Sequence, residues 1–471
     1  MVTIDYISGK RQGQIRCDKA ILEMIRNHFS IVNPDKAFCR DPMKKRFLPD
    51  RKSAITPTGL FYFGMYYEIR KFLIEQQITD ITFTESFKKR LKCGVESEFQ
   101  NNLKFDERYF QKESVEKALK LGCGVFLIAT GGGKSFCQAL LVDNYRKNIH
   151  NGCLHKTLII VPGLSLVEQL QKDFQDYGVS FTYSGWTGEN PLQETDVVIC
   201  NAQNLLSKFD SNPWIVDVDL LIVDECHGTN DSANLTKLLQ KIKTPNRYGF
   251  TGTLPVPLLD KCKVLGTFGP VFYEKKSKEL RDEGFLSDVE IIRLCLKHPK
   301  IIKMNYKNEL DYLYHNSERN DMVLKLLSKM TSNTLVMVNH HSQMDQVFDR
   351  VKGLSRFQVY KVTGDTPVDE RERIRSIMEQ NNDVIVVAMS SIFSTGINIK
   401  NLHNIFFIAL GKSFIRTVQS IGRGLRLHQE KNKLRIYDVY DNMRYSHAHA
   451  EERKKIYEQQ EIQIIEKEIL I

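Results

Sequence analysis

Residues 128–135 read Ile-Ala-Thr-Gly-Gly-Gly-Lys-Ser, and this stretch decides the fold class of the chain. It follows the apolar run 125–128 and precedes a helix-like run. Glycines let the backbone turn tightly enough for its N–H groups to surround a phosphate, while Lys134 can neutralise phosphate charge and Ser135 can ligate Mg²⁺. The stretch therefore predicts a nucleotide phosphate site at a strand end, although Ile128 stands where the general pattern has glycine.

On both sides of this stretch, short apolar runs alternate with amphipathic segments, as in a parallel sheet covered on both faces. The first set of predicted strands comprises residues 125–128, 157–161, 197–200, 220–223 and 248–250. The second set comprises residues 334–338, 358–362, 384–388, 404–408 and 434–439. The fold class is therefore predicted as α/β, with two tandem parallel-sheet domains and a small basic α+β domain at the N-terminus.

The 471 residues are enough for about three domains. We predict a basic N-terminal domain, a first sheet domain, a second sheet domain and a C-terminal amphipathic helix. Their expected bounds are residues 1–103, 104–285, 286–445 and 446–471.

The positive charge of the chain is concentrated near its N-terminus. The chain has 67 Lys or Arg and 57 Asp or Glu, a net charge of +10, and its first hundred residues hold 18 of the former and 12 of the latter. The densest cluster contains Lys44, Lys45 and Arg46, followed by the aromatic run 61–67. These cations are predicted to contact nucleic-acid phosphates. The aromatic run either stacks on bases or forms the core face of the helix that follows it.

The composition argues against membrane insertion and secretion. No apolar run approaches the roughly 18 residues of a membrane span, and no signal-peptide pattern begins the chain. The 10 cysteines form no CxxC pair and have no partnered histidine at metal spacing. We therefore expect a soluble cytoplasmic protein, in the host cytoplasm if the chain is phage-encoded, without disulfides or zinc.

A pair of acids follows a second apolar strand. Asp224 and Glu225 follow the run 220–223 at its carboxyl end, where open α/β sheets bind their ligands. One carboxylate is expected to hold magnesium, together with Ser135, and its neighbour to orient and deprotonate the attacking water. A helix N-cap is the alternative interpretation of two acids at this position.

The second half of the chain contains a basic motif. Arg423 and Arg426 are three residues apart, so both can lie on one face of a helix. Two guanidinium groups directed at a γ-phosphate stabilise the charge of a phosphoryl-transfer transition state. A solvated basic helix would have the same local pattern.

Together, residues 105–440 resemble the superfamily 2 helicases in the order and spacing of their motifs. The resemblance implies two RecA-like domains with ATP bound between them, and Arg423 and Arg426 as arginine fingers. The ATP-binding positions that it implies are Arg108, Gln111, Thr130, Gly131, Gly132, Gly133, Lys134, Ser135 and Gly396, with Tyr109 or Phe110 packing beside Gln111. Coupling between ATP and nucleic acid is implied for His227, Thr251, Gly252, Thr253 and Gln419. DNA contacts are implied for Pro162, Gly163, Asn201, Gln203, Thr363, Gly364, Ser394 and Thr395.

Within this superfamily the chain resembles the bacteriophage UvsW-like group of DNA helicases. The resemblance rests on the basic N-terminal domain, on residues 109–112 (Tyr-Phe-Gln-Lys) and on residues 393–397 (Phe-Ser-Thr-Gly-Ile). It implies a motor that uses ATP and Mg²⁺ to migrate four-way junctions, regress forks and remove RNA–DNA hybrids in phage replication, recombination and repair. A strand-separating hairpin is expected within residues 288–306.

Three alternative functions remain open from the sequence. An RNA helicase would share every ATP motif, and the motor subunit of a restriction system would share the same two domains. A nucleic-acid clamp with an inactive ATPase is disfavoured because Lys134, Asp224, Glu225, Arg423 and Arg426 are all present.

Overall fold

The computed structural model describes most of the chain, as two compact units. The first unit comprises Met1–Ala129 and Gly133–Lys275, and the second comprises Thr130–Gly132 and Lys276–Ile471. The described residues are 1–7, 11–91, 94, 98–150, 156–231, 233–300, 303–354, 356–390, 399, 401–408, 433–459 and 461–471. Among the helices of these ranges, none is both long enough and apolar enough to cross a membrane.

The N-terminal module, residues 1–91, has a mixed four-stranded sheet in the order β5-β2-β1-β6 and a separate antiparallel pair, β3-β4. Its strands are β1 Val2–Ile7, β2 Gln12–Arg16, β3 Ser30–Val32, β4 Arg51–Ser53, β5 Leu60–Tyr62 and β6 Ile81–Phe83. Its helices are α1 Lys19–His28, α2 Pro34–Phe38, α3 Pro42–Phe47, α4 Tyr66–Glu75 and α5 Glu85–Leu91.

The first parallel sheet has seven strands in the order β13-β7-β12-β11-β8-β10-β9. Its strands are β7 Cys123–Ile128, β8 Thr157–Val161, β9 Tyr183–Trp186, β10 Val197–Asn201, β11 Leu220–Asp224, β12 Arg247–Thr251 and β13 Val271–Lys275. The accompanying helices are α6 Tyr109–Leu121, α7 Lys134–His150, α8 Leu164–Tyr177, α9 Ala202–Lys208, α10 Ala233–Lys241 and α11 Leu258–Phe268.

The N-terminal module shares its hydrophobic core with α11. Cys262 of α11 is buried in the cluster that contains Phe61 and Phe63, and the Arg11 guanidinium donates to Thr244 O at 2.8 Å. A Cβ on Gly64 would lie 2.2 Å from an α11 carbonyl oxygen, so only glycine permits this close approach. The module is therefore an extension of the first unit. Most of its aromatic run is buried in this core, which supports the core-face interpretation and not base stacking.

Strand order determines which motifs meet in the first sheet. Strands β7, β12 and β11 are consecutive neighbours, and all three are parallel. The register pairs Thr251 with Leu127 and Asp224 with Phe250, so the carboxyl ends of the three strands are level. The phosphate loop, the acid pair and the motif at Thr251 therefore lie at one edge of the sheet, as in other open α/β folds.

The second unit has a seven-stranded parallel sheet in the order β16-β17-β15-β18-β19-β14-β20. Its strands are β14 Asp288–Lys297, β15 Thr334–Val338, β16 Gln358–Val362, β17 Val384–Met389, β18 Asn404–Phe407, β19 Lys433–Asp441 and β20 Gln463–Leu470. Its helices are α12 Ser277–Asp282, α13 Tyr306–His315, α14 Ser317–Leu327, α15 His341–Lys352, α16 Val368–Gln380 and α17 Arg444–Gln459.

The predicted fold class is confirmed, and all ten predicted strands are present. Two expectations for the second unit are wrong. Residues 463–470 form strand β20 and not the end of a helix, because they pair along the free edge of β14. Residues 288–297 form one long strand that pairs in parallel with β19 and β20, and not one arm of a hairpin. The β-branched Ile464 and Ile465 suit a strand better than a helix.

Buried ion pairs join the second sheet to α17. The Arg453 guanidinium reaches Asp438 at 2.7 Å, and the Tyr457 hydroxyl donates to the same carboxylate at 3.0 Å. All three side chains are buried. Burying such charges is unfavourable unless they remain paired, so each group here depends on the others.

We expect Arg453→Met to lower the free energy of unfolding by about 3–5 kcal/mol, because it leaves the Asp438 carboxylate buried without its cation. The neighbouring Lys454→Met is the matched control. Lys454 pairs with Glu466 at the surface, so its loss should change stability by less than about 1 kcal/mol. Urea unfolding of the two variants checks this difference, and equal effects would contradict it.

Candidate nucleotide-binding site

The phosphate loop connects β7 to α7 through two left-handed glycines. Gly131 has a φ of +84° and Gly133 has a φ of +81°. Residues other than glycine rarely adopt a backbone conformation with φ in this region. Helix α7 then begins at Lys134, so the first N–H groups of the helix open toward the loop. The sequence folds this way because the buried strand β7 ends at Ile128 and glycines turn the chain immediately after it.

The acid pair on β11 faces the lysine of the loop. Lys134 Nζ lies 3.3 Å from Glu225 Oε1, and Nδ1 of His227 lies 3.3 Å from Glu225 Oε2. Burial raises the pKa of Glu225, but Lys134 and His227 more than offset this effect and lower it to about 2. The Glu225 carboxylate is therefore ionised at neutral pH, as a residue that orients or deprotonates water must be.

Glu225 is also held in a strained backbone conformation. Its φ is +45°, one of four positive values among the non-glycine residues that the structure describes. Such a conformation is unfavourable by roughly 1–3 kcal/mol and persists where the surroundings enforce it, often at functional sites. Here the end of β11 on one side and a 3₁₀ helix over Cys226–Asp231 on the other fix the residue.

A hydrogen-bonded chain links the acid pair to the next strand. His227 Nδ1 lies 2.8 Å from Thr251 Oγ1, and the Thr251 hydroxyl donates to Thr253 O at 2.8 Å. Because that hydroxyl proton is used on Thr253, Nδ1 of His227 must be the donor to Thr251. The structure thus brings three of the predicted coupling residues together, and Gly252 lies between two of them in the chain.

Gln111 lies against the phosphate loop. Its side-chain Oε1 accepts a hydrogen bond from Arg108 N at 2.9 Å, which caps the first turn of α6. A Cβ on Gly133 would lie 2.5 Å from Gln111 Nε2, so the carboxamide is packed directly on the loop. Tyr109 is half exposed and accepts a hydrogen bond from Lys275 Nζ at 2.7 Å.

Sequence reasoning missed Tyr177, because it belongs to no motif. Its hydroxyl is 2.8 Å from Ser135 Oγ, and its ring packs edge-on against Phe136 and Phe105. Tyr177 ends α8, and no local pattern distinguishes it from an ordinary helix-terminal tyrosine. Only the packing of α8 against α7 reveals the contact.

The residues present fit a magnesium ion that is shared with a nucleotide. The Ser135 hydroxyl and the Asp224 carboxylate both offer oxygen ligands; Ser135 lies in the first turn of α7, and Asp224 is the last residue of β11. Mg²⁺ in nucleotide sites takes one or two such protein ligands and completes its shell with phosphate and water. This donor set suits Mg²⁺ better than a metal that prefers sulfur or nitrogen ligands.

Several predicted DNA-contacting residues also lie at strand ends. Pro162 and Gly163 follow β8, and Asn201 ends the neighbouring strand β10, so they share the edge that carries the nucleotide residues. Gln203 is exposed on α9. In the second unit Thr363 and Gly364 follow β16, where Arg371 donates to Gly364 O at 2.7 Å.

The remaining predicted positions fall into two groups. The following lie outside the described residues: Ser394, Thr395, Gly396, Gln419, Arg423 and Arg426. Lys44, Lys45 and Arg46 are described, and they lie exposed on α3 of the N-terminal module.

Two protein families match separate parts of the chain. The family described as "Type III restriction enzyme, res subunit" matches residues 104–256. The family described as "Helicase conserved C-terminal domain" matches residues 318–428. The two matches fall on the first and the second parallel sheet, respectively.

Individual proteins are similar over most of the chain. The ATP-dependent DNA helicase UvsW of Enterobacteria phage T4 is 27% identical over 373 residues, which covers 76% of this chain and 73% of UvsW. Putative helicase 22 of a Sulfolobus islandicus filamentous virus is 24% identical over 372 residues, covering 72% of this chain and 65% of that protein. A fragment of a putative HsdR subunit of a type I restriction enzyme from Vibrio vulnificus has a TM-score of 0.62 at 16% identity, covering 90% of this chain and 75% of the fragment. The last similarity concerns the fold.

The low pKa of Glu225 predicts how ATP hydrolysis depends on pH. Because this pKa lies below the ordinary glutamate value of about 4.3, the carboxylate should stay charged from pH 8 down to about pH 4. In His227→Ala one of the two groups that lower the pKa is lost, so kcat should begin to fall at a higher pH than in wild type. Profiles of kcat against pH check this. His315→Ala, at an exposed histidine of α13, is the control, and coincident profiles for all three proteins would refute the prediction.

Gly133→Ala should weaken ATP binding by about tenfold or more. The new Cβ would meet Gln111 Nε2, and alanine at a positive φ is unfavourable by roughly 1–2 kcal/mol. Titration with a non-hydrolysable ATP analogue measures the effect. Gly188→Ala is the matched control, since a Cβ there meets nothing within 4 Å, and wild-type affinity in Gly133→Ala would contradict the prediction.

Proposed function

We propose that this chain is an ATP-dependent helicase of superfamily 2, and that it works as a DNA motor on branched DNA. Its proposed substrates are forks and four-way junctions, with RNA–DNA hybrids as a further substrate. The proposed work is branch migration and fork regression in replication, recombination and repair, within the host cytoplasm if the chain is phage-encoded.

The observation that carries the proposal is the chain of contacts from Lys134 through Glu225 and His227 to Thr251. It joins the residue that would hold phosphate to the residue that would activate water. It then continues to Thr251 at the end of β12. Through this contact, a change at the ATP site can shift the position of other residues in the domain. A motor needs this connection, because directed motion requires that ATP and its products favour different conformations.

The proposed roles at the ATP site follow from the chemistry of each side chain. Lys134 neutralises phosphate charge, and Glu225 orients and deprotonates the attacking water. Ser135 and Asp224 would hold Mg²⁺, which when bound neutralises charge that develops on the phosphate oxygens. Arg423 and Arg426 stay predicted arginine fingers, and the base of ATP is proposed to lie beside Gln111.

Two observations favour DNA as the nucleic acid along which the proposed motor moves. The similar protein of phage T4 is named a DNA helicase, and the N-terminal module presents basic residues to solvent. Contacts along the strand-end edges are proposed to be mostly to phosphate and sugar, which allows movement without sequence preference.

A second candidate function is the motor of a restriction system. The family match over residues 104–256 favours it, because that family is described by a restriction-enzyme subunit. A motor of this kind would respond to unbranched duplex DNA at least as strongly as to a junction, so one assay separates the two candidates.

The test is the rate of ATP hydrolysis without nucleic acid and with single-stranded DNA, linear duplex DNA, a forked or four-way DNA junction, or RNA. We expect the junction to stimulate wild type most strongly. Glu225→Gln should lower kcat by about 100-fold or more, because a general base is lost. Glu189→Gln, at an exposed loop residue, is the control and should keep the wild-type rate.

Each alternative result has a distinct meaning. Stimulation by RNA alone would indicate an RNA helicase, and preference for linear duplex would favour the restriction motor. An absence of hydrolysis under every condition would refute the motor, and an active Glu225→Gln would refute the role of that carboxylate.

A further inference from the structure

Residues 33–50 form a projection from the N-terminal module. Strands β3 and β4 pair antiparallel at its base, with Val32 opposite Arg51. Buried Asn33 closes the base, because its side chain donates to Pro49 O at 2.8 Å and its backbone N–H donates to Asp50 O at 2.8 Å. The chain between these points carries α2 and α3, so both helices stand on a short two-stranded stem.

The base of the projection is fixed to the core of the module. Ala54 N donates to Phe29 O at 2.9 Å, and the Ser53 hydroxyl donates to Arg26 O at 3.0 Å. Phe29 and Ile55, which flank the stem in sequence, are both buried in the hydrophobic cluster of the module. The stem is therefore rigidly supported.

Helix α3 at the tip has no buried residue. Phe47 is 82% exposed and Met43 is 72% exposed, although each is large and apolar. The two residues are four apart, so they lie on one face of the helix. Exposing an aromatic ring to this extent is unfavourable in water, and contiguous apolar groups with a polar rim indicate a binding surface.

The charges of the projection are distributed unevenly. Near the base, Lys36 pairs with Asp50 and Lys52 pairs with Asp35. At the tip, Lys45 and Arg46 make no ion pair or side-chain hydrogen bond with any residue that the structure describes. The cations that flank the apolar face are thus available to an anionic partner.

We propose that Phe47, supported by Met43, inserts between the bases at a DNA branch point while Lys45 and Arg46 hold the adjoining phosphates. The inference rests on the proposed function, in which branched DNA is the substrate. It adds the residue that separates stacked bases at the branch point. An aromatic ring beside unpaired cations matches a nucleic acid, because one surface then meets both the base and the phosphate. At a branch the terminal bases have lost a stacking partner, so inserting a ring there disrupts less stacking than it would within a duplex.

The test is equilibrium binding, without ATP, to forked DNA that carries 2-aminopurine at the branch point. Wild type should raise the fluorescence on binding, because the probe becomes unstacked from its neighbours. Phe47→Ala should abolish this rise at saturating protein and weaken binding by about tenfold. Phe47→Trp should keep both properties, since it keeps an aromatic ring.

The salt dependence of DNA binding distinguishes the contribution of the Phe47 ring from that of the two cations. Lys45→Ala with Arg46→Ala should reduce the slope of log affinity against log salt by about 2, whereas Phe47→Ala should leave this slope unchanged. Ile74→Ala, at a 48% exposed residue of α4 in the same module, is the matched control and should keep wild-type affinity and fluorescence. Melting temperatures show whether each variant is folded.

The outcomes distinguish this inference from the proposed function. If branched DNA stimulates ATP hydrolysis but Phe47→Ala binds and unstacks the probe like wild type, the inference is refuted and the proposed function stands. If no DNA stimulates hydrolysis, the proposed function fails. Unchanged DNA affinity in both the Phe47 and the Lys45/Arg46 variants would overturn the inference and leave an acidic protein as the partner that the tip fits.

Discussion

The parallel pairing of β7, β12 and β11 is the constraint on which the nucleotide site depends. Each strand ends in a different motif, and hydrogen bonding between neighbours aligns the three ends. Lys134 and Glu225 are 91 positions apart in the chain, yet their charged atoms lie 3.3 Å apart. The apolar strands fix this geometry, because their burial leaves the sheet little freedom to slip in register.

The site combines strain with electrostatic balance. Left-handed backbone at Gly131 and Gly133 costs little, but the same region at Glu225 is unfavourable and must be compensated by surrounding contacts. Lys134 and His227 provide such contacts and also lower the pKa of the carboxyl group. The same interactions therefore position the carboxylate and keep it charged, so removing one of them affects both properties.

The N-terminal module joins two features of opposite character. Its core is continuous with α11, the helix that follows the Thr251 motif, so the module is anchored to the first sheet domain. Its projection instead exposes apolar and cationic side chains to solvent. Because the base packs into this core, the exposed tip is held in a defined position relative to the first sheet domain.

The sequence by itself determined the fold class, ten of the strands and the residues of the phosphate loop and acid pair. These features are local, because a buried parallel strand or a glycine-rich turn is encoded in adjacent residues. Tertiary structure decided the edge strand β20, the burial of the aromatic run, the exposure of Phe47 and the contact of Tyr177 with Ser135. Each of these depends on which distant segment packs against the residue, and local periodicity carries no information about that partner.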